Sequence, residues 1–242
     1  MKSISRNCEF PGGILIVNKP SCWTSHDVVK KTRIILGGIK VGHTGTLDPM
    51  ATGVMILLIG KATRLARLFE QDTKRYRAEI TFGRSTDTYD RTGETTAVGD
   101  AAQVDWAILE KCIYNLKGAS EQLPPMYSAV KVEGKKLYQL ARSGKTVERK
   151  PRKIFISSIS ASMDEFPRIL LDIECSKGTY IRSIAHDLGE TAGCPAHLSA
   201  LSRVACGKYT LDEAVDFLSI VHAPAEDVFK LIKPVAEEPT TV

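Results

Sequence analysis

The stretch GHTGTLDPMATG at residues 42–53 runs straight into VMILLI at residues 54–59, and this junction decides how the chain is read. A continuous apolar run of this length between turn formers is the mark of a strand buried on both faces. The residues before it read from Val41 to Gly53 as a shaped loop rather than a regular element. Gly42, Gly45 and Gly53 allow positive φ or close backbone approach, and Pro49 drives Asp48 toward extended geometry. Asp48 is thereby presented rigidly in front of a buried strand, which is what a catalytic group needs. The same pattern suits an aspartate that merely caps a turn. The loop by itself leaves both readings open.

Toward the N terminus, residues 13–17 read as a short buried strand closing on Asn-Lys-Pro. A helix follows, with Thr24 or Ser25 as its cap, Val28, Val29, Thr32 and Ile35 on its inner face, and Gly37-Gly38 ending it. Beyond residue 59 the spacing predicts a helix over 62–70, with Lys61, Arg64 and Arg67 along one edge, then an alternating strand over 74–82. Helical spacing runs through Val104, Ile108, Leu109, Cys112 and Leu116. In the second half, strands are expected at 128–132, 154–163 and 168–175, and helices near 136–143 and 179–190. Residues 84–99 are polar and turn-rich, a candidate mobile loop beside a site. There is no regular βαβ alternation, no fixed-period repeat and no low-complexity linker, so the fold class is α+β.

With 242 residues, 43% hydrophobic and 25% charged, the chain is long enough for a main core with a small appendage. Its first thirteen residues lack the apolar segment of a signal peptide, and no later run approaches the roughly 18 apolar residues of a membrane span. The expectation is a soluble cytoplasmic protein. Cys8, Cys22, Cys112, Cys175, Cys194 and Cys206 form no C-x-x-C pair, which points to reduced structural cysteines rather than zinc or disulfides. The net charge of +5 is unevenly spread. Between Val130 and Lys153 nine Lys/Arg face two acids, and from Lys61 to Arg77 six face two. From Leu211 to Val242, seven acids face two lysines. Such segregation suits one polyanion-facing side, with a solvated lysine-rich surface as the plainer alternative. The residues after Leu211 are too few for another independent domain. The expected organisation is one main domain over 1–210 and a short acidic extension over 211–242.

GHTGTLDPMATGVMILLIGKATR resembles the signature motif of the bacterial tRNA pseudouridine 55 synthases, the TruB family. Similarity continues through VNKPSCWTSHDVV, KRYRAEITFGRSTDTYDRTGE, PPMYSAVKVEGKKLYQLARSGKTVERKPR and SKGTYIRSIAHDLGE, followed by HLSALSR. The resemblance implies a pseudouridine synthase fold, with a central mixed, largely antiparallel sheet flanked by helices and loops, acting on the T-arm of tRNA. By motif, Asp48 is the catalytic aspartate, Tyr76 lies against the target base, Arg182 pairs with the aspartate and Leu201 is the active-site leucine. His43 is the residue that enters the RNA loop where flipped nucleotides leave their stack. On pattern alone, Tyr76 and Leu201 would be core, Arg182 a solvated helix residue and His43 incidental.

The implied reaction breaks the C1′–N1 glycosidic bond and joins uracil C5 to C1′, with no redox change and no metal or organic cofactor. An ionised aspartate can attack C1′, add to C6 or remove a ribose proton, and the sequence leaves these open. The base must leave its stack to be reached. Lys61, Arg64, Lys131, Arg142, Arg149 and Arg152 are candidate contacts to the RNA backbone. The chain departs from the family pattern at Cys22, where glycine is usual, and at Ser202-Arg203, where Arg-Arg is usual. Many relatives also continue into an RNA-binding PUA domain, and the short acidic extension is not expected to form a full one. The expected working state is a monomer with no obligatory protein partner. A tRNA-binding or folding protein using the same cleft without turnover is the competing reading. A glycosidase would want a second carboxylate about 5 to 9.5 Å away, and a metal-dependent phosphotransferase clustered acids.

Overall fold

The structure, a computed structural model, describes residues 12–163 and 165–235. Cys8, residues 1–11 of the N-terminal stretch and the last acids of the tail lie outside the described residues. Two compact units are formed, one by residues 12–72 with 203–235, the other by 73–202.

The first unit opens with β1 (Gly13–Lys19), α1 (Ser25–Ile35), β2 (Val41–His43) and β3 (Thr52–Ile59), then a 3-10 turn (Gly60–Leu65) and α2 (Ala66–Glu70). Thr24, not Ser25, caps α1. Its hydroxyl accepts from the Asp27 N–H at 3.0 Å, and the Asp27 carboxylate accepts from the Thr24 N–H at 3.1 Å, a reciprocal capping box. β1 and β3 pair antiparallel from Gly13↔Ile59 to Lys19↔Gly53. The expectation of a loop throughout 41–53 is corrected at both ends. Val41–His43 pairs with residues 57–59, and Thr52 and Gly53 already belong to β3. The helix expected over 62–70 is split, because the Thr63 hydroxyl donates to the Gly60 carbonyl at 2.9 Å and holds the tighter turn.

The second unit contains β4 (Lys74–Phe82), β5 (Arg84–Thr86), β6 (Thr95–Val98), α3 (Trp106–Asn115), β7 (Gly118–Gln122), β8 (Lys131–Val132), β9 (Lys135–Lys136), α4 (Leu137–Arg142), β10 (Arg152–Met163), β11 (Arg168–Cys175) and α5 (Ile181–Thr191). β11 pairs antiparallel with β4 and β10, and β10 with β7. Residues 84–99 form the β5–β6 hairpin with a hydrogen-bonded loop. α3 is capped by Asp105 and buries Leu109 and Ile113, so Ile108 turns outward at 56% exposure, against expectation. The strand expected over 128–132 shrinks to β8. Glu133 and Gly134 both take positive φ, the geometry of a tight hairpin turn, and the chain reverses into β9.

β12 (Ala196–Cys206) leaves the second unit, and its residues 203–206 belong to the first. β13 (Tyr209–Thr210), β14 (Val215–Asp216), α6 (Phe217–His222) and α7 (Ala225–Lys230) follow in the first unit. β14 runs parallel to β1, so the pairing is mixed and largely antiparallel, as the α+β expectation required. The core of the first unit holds Ile14, Ile16, Val54, Ile56, Leu58, Ala62 and Cys206, with Leu211, Ala214 and Val235 packed against it. Each fully buried aliphatic side chain contributes about 1.5–3 kcal/mol. Phe217 is fully buried and meets the Trp23 ring edge-on at 5.2 Å.

Candidate functional site

The candidate residues fall into two groups of side chains, one in each unit. In the first, the loop from β2 to β3 is bound by the turn between β1 and α1, group by group. Ser25, whose hydroxyl the Thr24 cap leaves available, accepts from the Leu47 N–H at 2.8 Å and donates to the Leu47 carbonyl at 3.1 Å. The Pro49 carbonyl accepts from the Cys22 N–H at 2.8 Å and from Lys19 Nζ at 3.3 Å. Ser21 donates to the Met50 carbonyl at 3.2 Å. The Asp48 carbonyl takes the Ala51 N–H at 3.1 Å, closing a turn around Pro49. Asp48 therefore sits at the start of a turn whose neighbouring backbone is fixed on both sides, with its side chain half-buried.

Two buried cations serve this loop, and the sequence reading assigned a role to neither. Lys19 is inaccessible and also donates to the carbonyls of Pro20 and Trp23 at 2.8 and 2.7 Å. Burial lowers its pKa to about 8, while the charge of Asp48 pulls it upward. Arg203, 1% exposed, donates from Nε to the Val54 carbonyl at 2.7 Å and from Nη2 to the Gly45 carbonyl at 3.2 Å. The arginine at the Ser202-Arg203 departure is thus an internal brace of the glycine-rich loop. Cys22 occupies positive φ, which accounts for glycine being usual there. His43 Nδ1 accepts from the Gly45 N–H at 3.2 Å. Burial, then the charge of Arg203, lowers the pKa of His43 and favours the neutral ring.

In the second unit Tyr76 lies on β4, opposite Ile173 of β11, on the buried face that alternation assigned. Leu201 is buried on β12. Arg182, on the first turn of α5, is only 5% exposed and not the solvated helix residue that pattern alone suggests. Its Nη1 donates to the Thr88 carbonyl at 3.1 Å and its Nη2 to the Tyr127 carbonyl at 3.0 Å, and its Nε lies 3.8 Å from Asp90 Oδ2. Asp90 is the residue that motif reading left unassigned. Its Oδ1 accepts from the Thr88 hydroxyl, the Thr92 N–H and the Thr92 hydroxyl at 2.9, 2.9 and 2.6 Å, which leaves Oδ2 toward the guanidinium.

Of the basic candidates, Lys61 and Arg64 are exposed on the 3-10 turn, and Lys131, Arg142 and Arg152 are exposed in the second unit. Arg142 lies 5.6 Å over the Tyr138 ring. Arg149 is half-buried and donates to the Pro124 carbonyl at 2.9 Å, so it also ties the chain internally. Among the described residues no three His, Cys, Asp or Glu side chains gather as a metal-ligand set, and no helix is long and apolar enough to cross a membrane.

Among solved structures, a chain of a Cbf5–Nop10–Gar1 complex aligns with a TM-score of 0.70 at 28% identity, over 92% of this chain and 60% of that one. A chain of an H/ACA RNP bound to a substrate RNA containing 2′-deoxyuridine aligns with a TM-score of 0.65 at 25% identity, over 86% of this chain and 52% of that one. The fold is that of the pseudouridine synthases. Residues 33–181 match the N-terminal domain of the TruB family pseudouridylate synthases, and residues 182–237 match the C-terminal domain of tRNA pseudouridylate synthase B. A tRNA pseudouridine synthase B of Opitutus terrae is 44% identical over 92% of both chains. The Bacillus subtilis protein of that name is 47% identical over 85% of this chain and 68% of its own. The chain belongs to the TruB family of pseudouridylate synthases.

Proposed function

We propose that this protein isomerises uridine to pseudouridine at position 55 in the T-loop of tRNA, with Asp48 as the catalytic carboxylate. The C1′–N1 bond breaks and the C5–C1′ bond forms, C5 gives up its proton and N1 gains one, so the reaction balances without redox or energy input. What supports this most is the binding of the Asp48–Pro49 turn by Lys19, Ser21, Cys22 and Ser25. A group held by backbone hydrogen bonds loses little entropy on meeting its target, which is how positioning lowers a barrier. Relatives named tRNA pseudouridine synthase B at 44–47% identity support the substrate class.

In this reading Tyr76 stacks on the flipped base, Leu201 lines its pocket, and Arg182 supplies positive charge for the reacting aspartate. His43 fills the gap that the base leaves in the RNA stack. Lys61, Arg64, Lys131, Arg142, Arg149 and Arg152 act as phosphate contacts. The protein works as a cytoplasmic monomer without a protein partner or cofactor. To test the reading, an unmodified tRNA transcript is incubated with the protein and EDTA, and pseudouridine is mapped chemically. A single new pseudouridine at position 55 is expected, and none in a transcript with cytidine there. Modification only elsewhere, or dependence on added metal, would contradict it.

A further inference from the structure

One helix turn of α5 grips three consecutive residues of the β5–β6 loop. Arg182 and His186 are spaced i, i+4 and so lie on one face. Arg182 takes the Thr88 carbonyl and faces Asp90, and the His186 ring stacks flat on Tyr89, with centroids 4.0 Å apart and planes 6° off parallel. Tyr89 is held in the left-handed region at φ 63°, which bulky residues adopt only where their surroundings over-determine them. Its backbone is fixed from β12 as well. The Tyr89 carbonyl accepts from the Leu198 N–H at 3.0 Å, and the Arg91 N–H donates to the Leu198 carbonyl at 3.0 Å. His186 Nδ1 is buried and has no hydrogen-bond partner among the described residues. Nδ1 thus makes no hydrogen bond to the loop, and the ring's contact with it is the stack on Tyr89.

We propose that Tyr89 and His186 form a positioning pair, whose stacked rings lock residues 88–90 onto α5 and so set the direction of the Arg182 guanidinium. The inference rests on the reading that Arg182 serves the reaction. The hydrogen bonds from β12 fix the backbone on one side of the loop; without the stack, the Thr88 carbonyl and Asp90 carboxylate lose the ring contact that sets their distance from α5 on the other, and the guanidinium follows them.

The test uses the full chain and tRNA tritiated at uridine C5, with single-turnover tritium release and filter binding read separately. Tyr89→Asn keeps a residue type tolerant of positive φ but removes the ring. His186→Ala removes the other ring, and His186→Phe keeps a ring and gives up no hydrogen bond at Nδ1. Each ring deletion is expected to slow release roughly ten- to hundredfold, as misplacement from a distance does, with tRNA affinity within a few-fold. The double variant should be no slower than the slower single, because both act through one contact, and His186→Phe should recover most of the rate. Unchanged rates in ring-deleted variants that still bind tRNA would reduce the pair to packing and overturn the proposal. So would losses that multiply in the double variant, or no recovery with phenylalanine. Absence of release from the unsubstituted protein would instead overturn the pseudouridylation reading, and the pair's role in turnover with it.

Discussion

Lys19 holds three carbonyls with one ammonium in a site that water does not reach, and its pKa of about 8 is the outcome of burial outweighing the attraction of Asp48. The folded-state value lies below the ordinary 10.5. As pH rises through about 8, the folded protein releases a proton that the unfolded chain keeps until near 10.5. The loop then loses a charge-assisted donor and Asp48 loses a neighbouring cation. The single-turnover rate should fall as pH rises, with a midpoint near 8, and Lys19→Arg, which stays protonated, should move that limb upward or abolish it. An identical limb in both proteins would contradict the assignment. By linkage, buried Lys19 costs stability most below pH 8, and that cost shrinks between 8 and 10.5. Ser25 offers a second residue-level test. Removing its hydroxyl strands both the N–H and the carbonyl of Leu47, at about 1–3 kcal/mol for each buried group left unsatisfied. Ser25→Ala should lower the urea midpoint by an amount corresponding to roughly 2–6 kcal/mol, and a shift under about 1 kcal/mol would mean that water replaces the hydroxyl.

At the scale of elements, the start of β3 and the passage of β12 into the first unit meet at Gly53, which has φ 108°. A Cβ there would collide with the backbone of Arg203, so strain and overpacking act together. Gly53→Ala should destabilise the protein by about 3 kcal/mol, measurable by chemical denaturation. β4 and β11 could be read from the sequence to the residue because burial alternates along them, with Tyr76, Ala78, Ile80 and Phe82 of β4 and Ile169, Leu171, Ile173 and Cys175 of β11 buried and mostly polar or charged residues between them. β12 escaped because its buried positions include His197 and Arg203, and apolar alternation cannot register a buried polar side chain whose partners lie far along the chain. His197 donates from Nδ1 to the Arg84 carbonyl at 2.9 Å, and Arg203 donates to the carbonyls of Gly45 in the glycine-rich loop and Val54 in β3. The same blindness hid Asp90, since residues 84–99 look polar and loose until their hydrogen bonds are counted. Asp48 was legible as a rigidly held residue from Pro49 and its glycines, whereas its role came from the motif. Lys19 read only as part of a turn, because burial of a lysine leaves no local signature.

Over the whole molecule, charge is sorted along the chain more sharply than its net of +5 suggests. A surface that neutralises phosphates releases counterions, so tRNA affinity should fall steeply with salt. Lys131→Ala and Arg152→Ala, both at exposed positions, should each lower the slope of log K against log salt by about one if they touch a phosphate. Arg149→Ala should instead cost fold stability as well, because it unties the Pro124 carbonyl. Affinity that is flat with salt would mean that the basic segments do not contact the RNA phosphates. Whether Asp48 carries the reaction is decided by tritium release from uridine C5 of a tRNA transcript in the presence of EDTA, comparing the unsubstituted protein with Asp48→Asn. Release by the former that vanishes in the variant, with tRNA affinity held within a few-fold, is the predicted result. Release that survives Asp48→Asn, or loss of tRNA binding together with turnover, would contradict the assignment of Asp48 as the catalytic carboxylate.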